Sequence, residues 1–255
     1  MATVRVLVLR APGINCDEET AFAWESAGAK AERIHVRRVI ERPSLLGEYQ
    51  IVTLPGGFSY GDDIASGRIL AVQISHRLTG RLAEFVHRGG LLLGICNGFQ
   101  VLVRAGLLPG AGCPVAVTLA GNDSGRYEDR WVRVRVEADH CPFLRRGELF
   151  DVPVAHGEGK VLPEGGEAGR AALEASGHIA FRYISREAGE PVYPENPNGS
   201  IGNAAGLVDA TGRILGLMPH PERSLSRWQA PDWIRDIHTE TGGHRFFERA
   251  VGFMA

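Results

Sequence analysis

The chain has 255 residues, 44% of them hydrophobic and 23% charged, with a formal net charge of −2. This is the balance of a soluble globular protein long enough to bury a sizeable core, and it excludes a general electrostatic pull toward nucleic acid or an anionic membrane. No apolar run reaches the ~18 residues of a membrane helix and no targeting segment is visible. Four scattered cysteines, Cys16, Cys96, Cys113 and Cys141, make no C-x-x-C pair and no zinc spacing, so reduced thiols in a cytoplasmic protein are expected.

The N-terminal half alternates apolar runs with helix-like stretches. Val4–Leu9 reads as a buried strand and Asp17–Ala27 as a helix, with Asn15 or Asp17 as N-cap and Gly28 just past its end. "AERIHV" and "YQIVTLP" read as strands, the second stopped by Pro55 and a Gly-Gly pair. "RLAEFVHRGG" has helical spacing. "LLLGIC" is another buried strand, and "GFQVLVRAG" another helix. Strand and helix in alternation predict a mostly parallel sheet with helices on both faces. In the second half "RWVRVRVE", "LFDVPVAH", "HIAFRYI", "AAGLVD" and "RILGLMP" read as short strands, which predicts antiparallel additions. "GHRFFERAVGFM" closes the chain as a helix. No repeat or linker divides the chain, so residues 1–255 are expected to form one α/β domain.

Reactive groups in a parallel α/β sheet gather outside the carboxyl ends of the strands. Cys96 sits at such an end. Gly94 and Gly98 stand two residues to either side, the G-x-C-x-G spacing of a nucleophile elbow with Cys in place of Ser. The following helix N-terminus favours a thiolate. A small buried hydrophobe is the plain alternative for a single cysteine, so the partners decide.

A thiolate nucleophile needs a base, and the base needs an orienting group. Of nine histidines, His35, His76, His87, His140, His178, His238 and His244 are expected mostly at the surface. His156, in "VAHGEGK", and His220, in "GLMPHPER", follow strand-like runs. Glu222 stands two residues after His220, with Pro221 restricting the backbone between them. Glu222 can therefore hold the His220 ring as the acid does in a Ser-His-Asp triad. For an oxyanion hole, Gly57 of the Pro55-Gly56-Gly57 turn and the N–H of Asn97 are the candidate donors.

These segments together resemble the class I, triad-type glutamine amidotransferases, which have a flavodoxin-like fold. "GGFSYGDD", "GICNGFQVL", "VAHGEGK", "NPNGS" and "MPHPER" resemble more closely the glutaminase-subunit branch of phosphoribosylformylglycinamidine synthase. The resemblance spans Val4 to Arg223. It implies that Cys96 attacks the side-chain amide of L-glutamine, that His220 shuttles the proton and Glu222 holds it, and that ammonia passes on. The recipient would be a large synthetase subunit, assembled with a small third subunit, acting in purine biosynthesis. Gln100, His156 and Gly157 would line the glutamine pocket, with His156 structural rather than catalytic. Arg126 and Glu128 would face substrate or synthetase, or only solvent. No metal or cofactor is expected on this chain. ATP and magnesium belong to the synthetase, in keeping with the lack of a G-x-x-x-x-G-K-[ST] loop. The segment Ser224–His244, with Trp228 and Trp233, departs from the family pattern and either anchors a partner or covers the sheet. The competing class is a flavodoxin-like cysteine protein acting as redox sensor or chaperone, which would not need the His220–Glu222 pair.

Overall fold

The computed structural model describes residues 3–234 and 241–255. The strands are β1 (Arg5–Arg10), β2 (Lys30–His35), β3 (Ile51–Leu54), β4 (Leu91–Ile95), β5 (Val117–Gly121), β6 (Glu128–Val136), β7 (Leu149–His156), β8 (Glu158–Pro163), β9 (Ile179–Tyr183), β10 (Ala204–Val208) and β11 (Ile214–Leu217). The helices are α1 (Asp17–Ser26), α2 (Val36–Glu41), α3 (Arg68–Arg77), α4 (Thr79–His87), α5 (Asn97–Arg104), α6 (Gly166–Ala175) and α7 (Gly243–Met254).

Nine strands form one sheet in the order β2-β1-β3-β4-β11-β10-β9-β6-β7, and β5 pairs with β8 in a separate ladder. From β2 to β11 every pairing is parallel; from β11 to β7 every pairing is antiparallel. The inner parallel strands β3, β4 and β11 are buried along their length, as expected where helices cover both faces, whereas the edge strand β2 is polar and largely exposed. Helix α5 packs on β3, β4 and β11, with α3 beside it, while α1 packs with α7. Trp24 anchors the α1 side: its ring meets Phe247 at 4.8 Å edge-on, and its Nε1 donates to Thr53 Oγ1 at 3.0 Å. A buried indole is tolerated there because its one donor finds a partner.

The α/β architecture with antiparallel additions matches the sequence expectation, and three local readings need correction. The N-cap of α1 is Cys16, neither Asn15 nor Asp17, and its side chain makes no capping bond. His178 is buried, 6% exposed, rather than a surface residue. Glu128 is buried too, not solvated: its carboxylate accepts from Ser124 Oγ at 2.6 Å and pairs with Arg130. Arg126 is exposed and spends its carbonyl on Asn122. Trp228 and Trp233 are both exposed. Their rings meet each other at 5.1 Å, 60% and 38% exposed. His238 lies outside the described residues.

One feature of topology positions the site. Strands β1, β3, β4 and β11 are neighbours and parallel, so the loops that leave their carboxyl ends stand side by side. Those loops carry Cys16, Gly56–Gly57, Cys96 and His220. The far end of the sheet curls back to meet them: Pro153 of β7 accepts the His220 N–H at 2.8 Å, and the Cys96 thiol points at Ala155 O at 3.5 Å.

Candidate active site

Cys96 sits between β4 and α5 with φ 50° and ψ −104°. A non-glycine residue at positive φ away from the left-handed well stores strain, typically ~1–3 kcal/mol, and the neighbours must hold it there. Both flanking glycines are needed for space. A Cβ on Gly98 would lie 1.8 Å from Leu54 O, and one on Gly94 would lie 2.7 Å from Gly98 O. The turn thus lets α5 start against the β3 backbone, with Cys96 at its N-cap.

His220 is the N-cap of the 3₁₀ turn Pro221–Arg223 and Glu222 is its middle residue, with the proline setting the geometry. His220 Nδ1 meets Glu222 Oε1 at 2.6 Å, and both residues are 1% exposed. Burial opposes a charge on His220, but the Glu222 carboxylate and then Cys96 outweigh it, so the ring is held well above the ordinary histidine value. Nδ1 is taken by Glu222; Nε2 has no aligned hydrogen-bond partner among the described residues, with the Cys96 and Cys16 thiols close enough to act on it.

Gly56 fills the gap between these groups. A Cβ there would stand 2.8 Å from His220 Cε1, 3.1 Å from Cys16 Sγ and 3.5 Å from Cys96 Cβ. Gly57, at φ 135°, bridges Ile14. The flanking Phe58 N–H to Gly13 O bond (2.9 Å) holds that bridge.

The residues expected to line a pocket occupy two networks. Gln100 is buried and donates from Nε2 to Glu158 O at 2.6 Å, while its Oε1 accepts from Asn97 Nδ2 at 3.0 Å. Asn97 also donates to Asp62 Oδ1 and accepts the Ser59 N–H, both at 3.2 Å. Tyr60 and Asp62 in that loop hold φ of 56° and 52°. His156 pairs Nδ1 with Asn122 Oδ1 at 3.1 Å, and Asn122 closes the loop by donating from Nδ2 to His156 O at 2.8 Å and from its own N–H to Gly157 O at 3.0 Å. Burial pushes His156 down to about 4, the nearby His220 adds to this, and Glu128 opposes it. His156 is therefore a neutral ring. At the mouth Phe58 and Tyr127 face each other at 6.2 Å, and burial, then Cys96, raise the Tyr127 hydroxyl.

Cys16 is the residue that sequence reasoning missed. It is buried, and Arg223 Nη2 donates to its Sγ at 3.1 Å, while Arg223 Nε holds Glu19 at 2.6 Å. The signal was available: "GINCDEE" follows β1, and the end of a parallel strand is where such groups collect.

Residues 3–254 match the family described as the CobB/CobQ-like glutamine amidotransferase domain. The chain belongs to this family. Within these amidotransferases it is 40% identical to phosphoribosylformylglycinamidine synthase subunit PurQ of Dehalococcoides mccartyi, over 98% of both chains. It is 42% identical to the subunit of that name from Methanococcus maripaludis, over 90% of this chain and 85% of the relative. A solved structure of PurLQS from Thermotoga maritima superposes with a TM-score of 0.75 at 29% identity, covering 100% of both chains. A glutamine amidotransferase from the same organism, TM-score 0.51 at 18% identity, shares the fold. Among the described residues of this amidotransferase no helix is long and apolar enough to cross a membrane.

Proposed function

We propose that the chain works over residues 1–255 as one glutaminase unit of phosphoribosylformylglycinamidine synthase, in the cytoplasm, with Cys96, His220 and Glu222 as its catalytic residues. The observation that carries this reading is the convergence, at adjacent strand ends, of a strained thiol, a buried His–Glu pair at 2.6 Å and a Gly56–Gly57 turn. Cys96 Sγ attacks the side-chain amide carbon of L-glutamine. The N–H groups of Gly57 and Asn97 receive the oxyanion. His220, held charged by Glu222, gives its proton to the departing ammonia, and a glutamyl thioester remains on Cys96. His220, now neutral, takes a proton from water as it attacks the thioester, and glutamate leaves.

Gln100, His156 and Gly157 form the wall that glutamine meets. Because Gln100 and His156 already spend hydrogen bonds on Glu158 and Asn122, they shape the pocket more than they reach into it. The ammonia passes to a large synthetase subunit assembled with a small third subunit, where ATP and magnesium act on formylglycinamide ribonucleotide. The PurLQS likeness supports that assembly. The buried His220–Glu222 pair disfavours a redox sensor, which has no use for a base with a fixed tautomer.

A glutamine-analogue alkylator is expected to label Cys96 alone, and Cys96→Ala to lose glutaminase activity in the assembled complex. Labelling of another thiol, or full activity in the variant, would overturn this assignment. Rapid peroxide oxidation of Cys96 with no turnover of glutamine would favour the sensor.

A further inference from the structure

Next to the elbow, around His220, four side chains that no step above requires together form a second constellation. One donor atom each from Cys16, Glu19, His220 and Glu222 lies within 4.8 Å of all the others. They come from two places, the start of α1 and the turn after β11, about two hundred residues apart in sequence, which is why no metal-ligand spacing shows in the chain.

Two features indicate that this cluster is built for a cation. Glu222 Oε2 and His220 Nε2 are buried and have no hydrogen-bond partner among the described residues. Buried polar atoms without partners cost ~1–3 kcal/mol each, and a ligand that satisfies both recovers this. Second, a positive group already bridges the other two donors: Arg223 reaches Glu19 at 2.6 Å and Cys16 at 3.1 Å. The Arg223 side chain is 34% exposed and that of Glu19 38%, so the guanidinium can swing out and Glu19 stands at the entrance.

We propose that Cys16, Glu19, His220 and Glu222 form a binding site for a thiophilic divalent cation such as zinc, and that the seated ion switches the glutaminase off. A thiolate, an imidazole and two carboxylates suit zinc, whereas magnesium asks for an oxygen shell. Zinc bonds of about 2.0–2.3 Å set tetrahedral donors roughly 3.5 Å apart, so the side chains close by little more than an ångström. Cys16 releases its proton on binding. The thiolate and two carboxylates then balance the ion together with Arg223. The ion takes His220 and Glu222 out of proton transfer, so glutamine hydrolysis stops. The inhibition rests on the glutaminase reading; the binding does not.

The full chain, titrated with zinc against a chelating fluorophore, is expected to take up about one ion. Glu19→Gln and Cys16→Ser should each weaken it by roughly 10–100-fold. Glu19→Gln, a change at a half-exposed residue, should keep its glutaminase activity without zinc and lose sensitivity to it. Cobalt in place of zinc should give a thiolate charge-transfer band that vanishes in Cys16→Ser and survives in Cys96→Ala. No zinc binding, or binding and a cobalt band that depend on Cys96 and not on Cys16, would overturn the proposal. Zinc uptake with these dependences in a chain that never hydrolyses glutamine would support the site and overturn the glutaminase reading alone.

Discussion

The parallel and antiparallel halves of the sheet each bring one fully buried histidine to the same cleft, and they treat it in opposite ways. His220, after parallel strand β11, faces a carboxylate at 2.6 Å and is held charged. His156, at the end of antiparallel strand β7, faces the amide of Asn122 at 3.1 Å and is held neutral, with burial pushing it down to about 4. Burial is nearly equal, 1% against 2% exposed. The partner therefore decides: a charge opposite the ring overcomes desolvation, and a neutral amide does not. The comparison assigns proton transfer to the parallel half and pocket shape to the antiparallel half.

The strongest test breaks the charge on one side. Glu222→Gln leaves a hydrogen-bonding group beside Nδ1 but removes the carboxylate. By the template of an acid-to-amide change in a triad, kcat should fall on the order of 10⁴-fold with KM little changed. The pH dependence of folding should change too. Because the His220 pKa is raised in the folded state, it contributes stability that is fully present below the unfolded value near 6.5 and is lost as pH rises through the folded value. In Glu222→Gln that contribution should disappear, seen as a flatter dependence of the denaturant midpoint on pH above about 6.5. A variant with unchanged kcat would remove Glu222 from the mechanism.

The parallel half was also the legible half. Its inner strands are short, buried and punctuated by glycine and proline, and its chemistry sits at strand ends, so the elbow at Cys96, the Pro55-Gly56-Gly57 turn and the His220–Glu222 pair could be read in order. Helix α3 escaped because "RILAVQISHR" carries little contrast between its faces, and β5 and β8 because they pair only with each other. Cys16 escaped for another reason. Its partners Arg223 and His220 are over two hundred residues away, and nothing local to "GINCDEE" says which side of the sheet it faces. The bonds of Asn97, Asp62, Gln100 and Glu158 were illegible in the same way, since polar side chains carry no periodicity that fixes their partners.

A second test changes the neutral histidine. His156 has its folded pKa below its unfolded one, so on acidification the unfolded chain takes the proton first. Stability should fall as pH drops from about 6.5 to about 4, by on the order of 3 kcal/mol at the lower end. His156→Gln removes the titrating group and should flatten that window in urea unfolding, while shifting KM more than kcat. The sign is opposite to that for His220. If both histidines gave the same sign, the contrast between the halves would be wrong.

The smallest effect expected is at the seam between the elbow and its loop. Asn97 holds the Ser59 N–H with Oδ1 and Asp62 with Nδ2, and that loop keeps Tyr60 and Asp62 at positive φ. Strained residues persist only while neighbours hold them. Asn97→Ala releases the loop next to Gly57, and displacement of a positioned N–H should lower kcat/KM by about tenfold, or ~1.4 kcal/mol. Asn97→Asp should be worse than Asn97→Ala, although it is the closer match in shape. It keeps the acceptor for Ser59 but sets a second carboxylate against Asp62. Adding Asp62→Asn restores a donor opposite the new carboxylate, so the double variant should recover part of the loss in a double-mutant cycle. Strict additivity of the two changes would show that Asn97 and Asp62 act on the thiol separately, and that its backbone N–H is all that Asn97 contributes.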